Sequence, residues 1–242
     1  MNIVAQTLAW LTDPGNWQGP NGIPTRLEEH ILISVVSMAI ALAIALPAGL
    51  AVGHTGRGAV AAVNLANLGR ALPSLAVIGI VVPITQAIDP QAGFRVYPTL
   101  VAMVVLAVPV ILVTSFSAIR GVDRDLVETA RGMGLRERQI LTRVEIPLGL
   151  GVIIGGTRSA AVTVIATATL GAIFGFGGLG RYLVDGIAQN DDGQIWGGVV
   201  LVAGLALLTE GILALVQRRT TSGGLRQETS GRAPVRVPAA EA

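Results

Sequence analysis

Hydrophobic residues in this sequence fall into long unbroken blocks separated by short charged stretches. Charge-free runs cover residues 31–52, 71–88, 96–119, 146–176 and 195–216, the fourth interrupted only by Arg158 and the fifth only by Glu210. Neither the alternation of a half-buried strand nor the one-sided stripe of a surface helix describes such runs. A run of roughly 20 apolar residues lets an α-helix cross about 30 Å of hydrocarbon, so the pattern predicts about five transmembrane helices. Residues 59–68 are also uncharged and extend the second run toward the N-terminus, leaving Arg70 near an interface where its stem can snorkel. The fold class this implies is all-α, a polytopic membrane protein. Its expected parts are an outer-side segment 1–24, a transmembrane unit 25–217 whose longest polar connection is 120–147, and a tail 218–242. The tail is rich in Thr, Ser, Gly, Arg and Pro without apolar period, a composition expected to stay disordered.

Composition narrows the chemistry. Of the 242 residues, 52% are hydrophobic and only 13% charged, against about 25% charged in soluble domains. No cysteine is present, and His30 and His54 are the only histidines, which excludes a disulfide framework and thiolate chemistry and argues against a multi-histidine metal site. No lysine is present either, so the chain cannot form the G-x-x-x-x-G-K-S/T phosphate loop. Cofactor, metal and catalytic residues are therefore not expected, nor is nucleic acid as a partner, since the net charge is only +2. A cleavable signal peptide is not expected, because the apolar stretch before Arg26 is short and interrupted by Asp13, Pro14 and Gly15.

Arginine placement sets the expected orientation. Twelve of the 17 basic residues, Arg57, Arg120, Arg124, Arg131, Arg136, Arg138, Arg143, Arg218, Arg219, Arg226, Arg232 and Arg236, fall on one side of the predicted spans. Only Arg26, Arg95 and Arg181 fall on the other, together with Asp13, Glu28, Glu29, Asp89, Asp185, Asp191 and Asp192. The positive-inside rule then places the N-terminus outside and the C-terminus in the cytoplasm. Trp10, Trp17, Trp196, Tyr97 and Tyr182 all fall near the outer side, as an interfacial aromatic belt does.

The connection 120–147 reads as two short helices. Asp125-Leu-Val-Glu128 has the spacing of a capping box, although Glu128 also fits as an acidic first-turn residue. Leu126, Val127, Ala130 and Met133 give an apolar face, Gly134 suits a left-handed position after a helix, and Leu135, Ile140, Leu141 and Val144 continue a second helix. Pro147 is expected to end that helix and turn the chain back into the bilayer. A helix-Gly-helix element with an apolar stripe and several arginines suits a groove on a cytoplasmic partner.

These residues carry a family resemblance. Glu128-Thr129-Ala130, three residues, Gly134, nine residues, then Val144-Glu145-Ile146-Pro147 is similar to the E-A-A-x3-G-x9-I-x-L-P signature of the inner-membrane subunits of ATP-binding-cassette importers. Thr129 stands for Ala, Val144 for Ile and Ile146 for Leu. The stretches Ala130-Arg-Gly-Met-Gly134 and Val144-Glu-Ile-Pro-Leu148 look more particularly like the glycine betaine, choline, carnitine or proline (osmoprotectant) branch. So do Leu72-Pro-Ser-Leu75, which resembles an I-P-S-L element, and Ala168-Thr-Leu170 followed by Gly177-Gly-Leu-Gly180. The resemblance covers roughly residues 25–217. It implies a type I importer-like permease in the inner membrane, with no ATPase activity of its own, serving import of an osmoprotectant. The implied partners are cytoplasmic ATPase subunits, a second permease copy or sister permease, a separate extracytoplasmic solute-binding protein, and membrane lipid. It further implies ATPase coupling through Glu128, Thr129, Ala130, Gly134, Val144, Ile146 and Pro147. A permease for another small solute, such as an amino acid, keeps the same architecture. An ion-coupled carrier needs no helix-Gly-helix docking segment, and a membrane enzyme would need His, Asp or Cys clustered in the spans.

Several other positions have two readings each. Ser159, Thr163 and Thr167 share one face of the fourth span beside Arg158; they either line a translocation path or bond a neighbouring helix or their own backbone. Pro73 and Ser74, with Pro83 and Pro109, either kink helices next to that path or serve packing. Arg158, Arg70 and Glu210 are intramembrane charges that either gate or anchor. Gly49-x-x-x-Gly53 and Gly151-x-x-x-Gly155 read as packing seams. Gly175-Phe-Gly177-Gly-Leu-Gly180 has dinucleotide-loop spacing, but it follows a membrane helix rather than a strand and reads as a turn at the outer mouth.

Overall fold

The computed structural model describes residues 2–220 apart from Gln91, and Arg70 by its backbone alone. The remainder of the expected tail lies outside the described residues. Among those residues all regular structure is helical: α1 (Ile3–Thr12), α2 (Ile23–Thr55), α3 (Ala59–Ala71), α4 (Ser74–Ile88), α5 (Ala92–Arg95), α6 (Tyr97–Arg120), α7 (Arg124–Gly132), α8 (Glu137–Ile140), α9 (Ile146–Gly171), α10 (Gly180–Gln189) and α11 (Asp192–Thr220). A π-helical turn, Leu141–Glu145, joins α8 to α9.

Four apolar runs are long enough to cross a bilayer: Ile23–Thr55, Ala92–Arg120, Glu137–Phe174 and Asp192–Thr220. α3 and α4 make a fifth only as a pair bent by 93°. The second apolar block is thus two helices, not one helix started early. Pro73 forces the break: its ring pushes Leu72 out of the helical region, to φ −76 and ψ 123, and it offers no N–H to continue the ladder. Pro73 therefore sits at a corner, whereas Pro109 is buried inside α6, where a Cβ added to Gly69 of α3 would overlap it.

The centre of the bundle is α2, α6 and α9, with α3 and α4 against α6 and α11 against α9. Ala41, Ala45, Met103, Ala107, Ile111, Ala160, Val164 and Ala168 fill it. Small residues dominate because lipid is as apolar as a side chain, so helices gain most from close approach. Gly49 and Gly53 make the expected seam: a Cβ there would lie 2.6 Å from the Leu112 carbonyl and 2.7 Å from Ile119 Cβ. On α9 the tight seam falls elsewhere than the Gly151/Gly155 pair. Gly149, Gly156 and Gly171 face α6, and a Cβ at Gly156 would overlap the Thr114 hydroxyl. Gly151 and Gly155 instead face Gln217 of α11.

α2 is 33 residues long, about 50 Å at 1.5 Å per residue, so its ends extend past the hydrocarbon. It stops at Gly56, whose φ of 71 is left-handed and whose N–H bonds the Val52 carbonyl at 2.9 Å. α7 and α8 cover the face at that end. The opposite face carries α1 and α10, joined where Trp10 meets Tyr182 edge-on with ring centroids 4.9 Å apart.

Candidate functional site

The α7 to α9 segment is a small folded unit. α7 is capped by Asp123, whose carboxylate accepts the Asp125 N–H at 2.9 Å. The cap is thus two residues earlier than the Asp125/Glu128 spacing implied, because an Asx turn at Asp123 already meets the first free N–H. Glu128 serves as a free acidic group on the helix surface.

The end of α7 follows the expected pattern. Gly134 has φ +86, the Leu135 N–H bonds the Ala130 carbonyl at 3.2 Å, and the Gly134 N–H bonds the Arg131 carbonyl at 3.0 Å. Those two bonds form a Schellman closure. Nothing stands within 4 Å of a Cβ built on Gly134, so the requirement for glycine there is conformational and not steric.

Beneath this turn Val122, Val127, Ala130 and Ile140 are buried together, with Leu135, Val144 and Leu148 packed against them. The apolar face of α7 is therefore split. Val127 and Ala130 turn inward, while Leu126 at 51% and Met133 at 70% exposure turn outward beside exposed Glu128 and Thr129. The outward face of α7 is thus an apolar pair beside a carboxylate, on a helix seated on its own core.

Pro147 does not end a helix. The helical run continues from Glu137 to Phe174, and Pro147 lies in the first turn of α9. The π turn absorbs it: the Ile146 N–H reaches back to Leu141, an i to i−5 bond that widens the helix before a residue without an N–H.

Side chains tie the segment together. Arg131 grips Glu137 with both arms, at 2.8 and 3.0 Å, and that carboxylate holds the Arg131 guanidinium above its ordinary range. His54, from the end of α2, lies 3.3 Å by Nε2 from Glu137 and 2.5 Å by Nδ1 from Glu145, which is buried with 1% exposure. Sequence reasoning missed His54 and Glu145 as partners, since they lie 91 residues apart.

The residues suggested for a path are distributed. Ser159 and Thr163 are exposed along α9, and Thr167 is buried. Their hydroxyls donate to their own helix, at the carbonyls of Gly155, Ser159 and Thr163. Arg158 turns away to α11, where it pairs with Glu210 and bonds Gln217; Gln217 also donates to the Gly151 carbonyl at 2.6 Å. Pro73 is exposed and Ser74 half-buried at the start of α4, which packs on α6 and touches α9.

On the opposite face the glycine-rich turn closes on α2. The Gly178 N–H donates to Glu29 at 2.7 Å. His30 is fully buried, accepting the Leu179 N–H on Nδ1 at 3.3 Å and donating from Nε2 to the Ile165 carbonyl at 3.1 Å. Tyr182 donates to the Asn21 carbonyl at 2.8 Å, and burial pushes its phenol up to about 12, so it stays neutral. An open cavity of about 780 Å³ lies beside this turn, lined by Arg26, Arg95, Arg181, Glu29, Phe176 and Leu32 among others.

Residues 31–222 match the family described as binding-protein-dependent transport system inner membrane component. The chain belongs to this family. It is a permease component of an ATP-binding-cassette importer and not its catalytic subunit. Similar proteins include the carnitine transport permease protein OpuCB of Listeria monocytogenes, 32% identical over 203 residues, covering 84% of this chain and 90% of that one. The glycine betaine/carnitine/choline transport system permease protein OpuCB of Bacillus subtilis is 32% identical over 198 residues, covering 82% and 88%. Among solved structures, a chain of the inward-facing MetNI methionine ABC transporter superposes with a TM-score of 0.72 at 21% identity, covering 87% of this chain and 100% of that one. That likeness establishes the fold, which is that of a type I importer permease.

Proposed function

We propose that this permease passes a compact osmoprotectant, of the glycine betaine, carnitine, choline or proline type, through an ATP-driven importer. The substrate class is supported by relatives at 32% identity over most of their length, which are carnitine and glycine betaine/carnitine/choline transport permeases. The mechanism is supported by one observation above all: α7 stands on its own apolar core with Leu126, Met133 and Glu128 facing outward. In this reading that surface seats in a groove of a cytoplasmic ATPase. Glu128, Thr129 and Ala130 shape the helix, Gly134 sets the angle between α7 and α8, and Val144, Ile146 and Pro147 join the segment to α9. Closure of the ATPases around nucleotide then moves the segment as a lever and switches the spans between two openings.

The arginine bias supports an orientation with the α7 face and C-terminus in the cytoplasm and the N-terminus outside. A solute-binding protein then delivers substrate at the α10 face. The exposed stripe of Ser159 and Thr163 on α9, with Thr167, Pro73 and Ser74, is proposed to border the path against a second copy or a sister permease. Arg158 holds α11 at the edge of that stripe. Aromatic residues are only 4% of the chain, too few to build a tight cage for a quaternary ammonium here, so selection falls to the binding protein.

The test is uptake in proteoliposomes containing the permease, its ATPase and its binding protein. ATP-dependent uptake of a quaternary amine, competed by glycine betaine and not by methionine, is the expected result. Competition by methionine alone would move the permease to an amino-acid system, and uptake that persists without the ATPase would exclude the importer mechanism for this assembly.

A further inference from the structure

Two routes run from α7 into the membrane bundle along the chain, one through α6 and one through α8 and the π turn into α9. A third runs through side chains. Arg131 at the end of α7 holds Glu137, Glu137 meets His54 Nε2, and His54 Nδ1 donates to Glu145. Glu137 opens α8 and Glu145 is the last residue of the π turn Leu141–Glu145. His54 therefore spans from the start of α8 to the end of the turn, with one ring nitrogen toward each carboxylate.

The π turn is the weak point of the route into α9, because its i to i−5 bonding interrupts the regular ladder, and such bulges mark sites of adjustment. Left alone, it would bend when α7 is displaced and absorb the motion. A bridge across it makes α8, the π turn and the end of α2 move as one body. Glu145, almost without exposure, needs a donor for its carboxylate, and His54 is a hydrogen-bond partner that α2 brings to it. The last turn of a helix is also where a cationic or donor side chain is favoured.

We propose that His54 is a positioning residue for energy coupling: by clamping Glu137 and Glu145 across the π turn, it passes displacement of α7 to α2 as well as to α9. This rests on the reading of α7 as the ATPase contact. It adds a residue outside the signature segment, and it makes α2 a driven helix.

The experiment compares the reconstituted importer carrying the native permease, H54A, H54Q or E137Q, measuring solute moved per ATP hydrolysed. H54A is expected to lower that ratio about fivefold or more, the low end of ordinary coupling effects. H54Q, which keeps one donor for Glu145, is expected to recover part of the loss. E137Q weakens the exposed arm of the clamp together with the Arg131 pair and leaves Glu145 paired with His54, so it carries the test if H54A fails to assemble; it is expected to give a smaller fall. A native ratio in assembled H54A or in E137Q would overturn the proposal. So would uptake and hydrolysis falling together at constant ratio, which is the behaviour of a purely structural residue. If the native importer itself hydrolyses ATP without moving solute, it is the coupling reading of α7 that fails.

Discussion

α9 is held in two different ways along its length. From Gly149 to Gly171 it lies against α6 with glycines at the contact, so backbone meets side chain with nothing in between. At its start it is held by polar side chains: Glu145 bonded to His54, and Glu137 of α8 beside His54 and paired with Arg131. A glycine seam has one permitted distance, because any separation forfeits contact and any side chain collides. A joint of polar side chains can lengthen, break and re-form. The seam therefore suits a part that must move as a rigid body, and the joint suits the place where movement enters.

The largest effect is expected from filling the seam. Gly156→Leu would drive a side chain into Thr114, and overpacking of this kind costs about 3 kcal/mol or more when backbone must shift. Loss of the folded permease from detergent-solubilised membranes, read by size-exclusion chromatography, checks it. Next comes Gly134→Val. A β-branched residue held at φ +86 carries about 1 to 3 kcal/mol of strain, in a turn with free space around it. The expected outcome is assembled complexes that hydrolyse ATP but import poorly, measured as solute moved per ATP; equal ratios for native and variant would blur the contrast between seam and joint.

Smaller is the effect expected for Arg158→Ala. It removes the Arg158 tie to Glu210 and Gln217 of α11 and leaves the bond from Gln217 to the Gly151 carbonyl in place, so α11 should loosen in part while the central bundle persists. Faster proteolysis of the α10–α11 connection, with an unchanged melting temperature for the remainder, checks this. Smallest is Thr163→Ala, whose hydroxyl bonds only its own helix in this chain; a stability change within about 0.5 kcal/mol is expected. Any larger fall in uptake assigns Thr163 to the path.

The parts of this architecture that were legible in the sequence are local ones. Apolar blocks announce spans because hydrocarbon excludes charge, and Gly134 announces its turn because only glycine adopts that backbone freely. The Asp123 cap is a local signal as well, though the Asp125/Glu128 spacing points two residues further on. The effect of Pro147 is not local, because it depends on whether the preceding turn can widen. The pairings were out of reach. Arg158 and Glu210 each stood out as a charge in a span, yet they lie 52 residues apart, and nothing short of helix packing brings them together. His54 and Glu145 have the same history. Ser159, Thr163 and Thr167 stood out as one face, and their bonds to their own backbone are as local as their spacing, leaving the face they present as the open quantity.

The central claim is that the outward face of α7 is the contact through which an ATPase drives this permease. The chain has no cysteine, so Met133→Cys places a single thiol at the most exposed apolar position of that face. Paired with one cysteine in the groove of the ATPase subunit, it should form a disulfide in the assembled importer and, once formed, stop ATP-driven uptake until reduced. A transporter that remains fully active with Met133→Cys freely accessible to a bulky maleimide, and no cross-link under any nucleotide condition, would contradict the account.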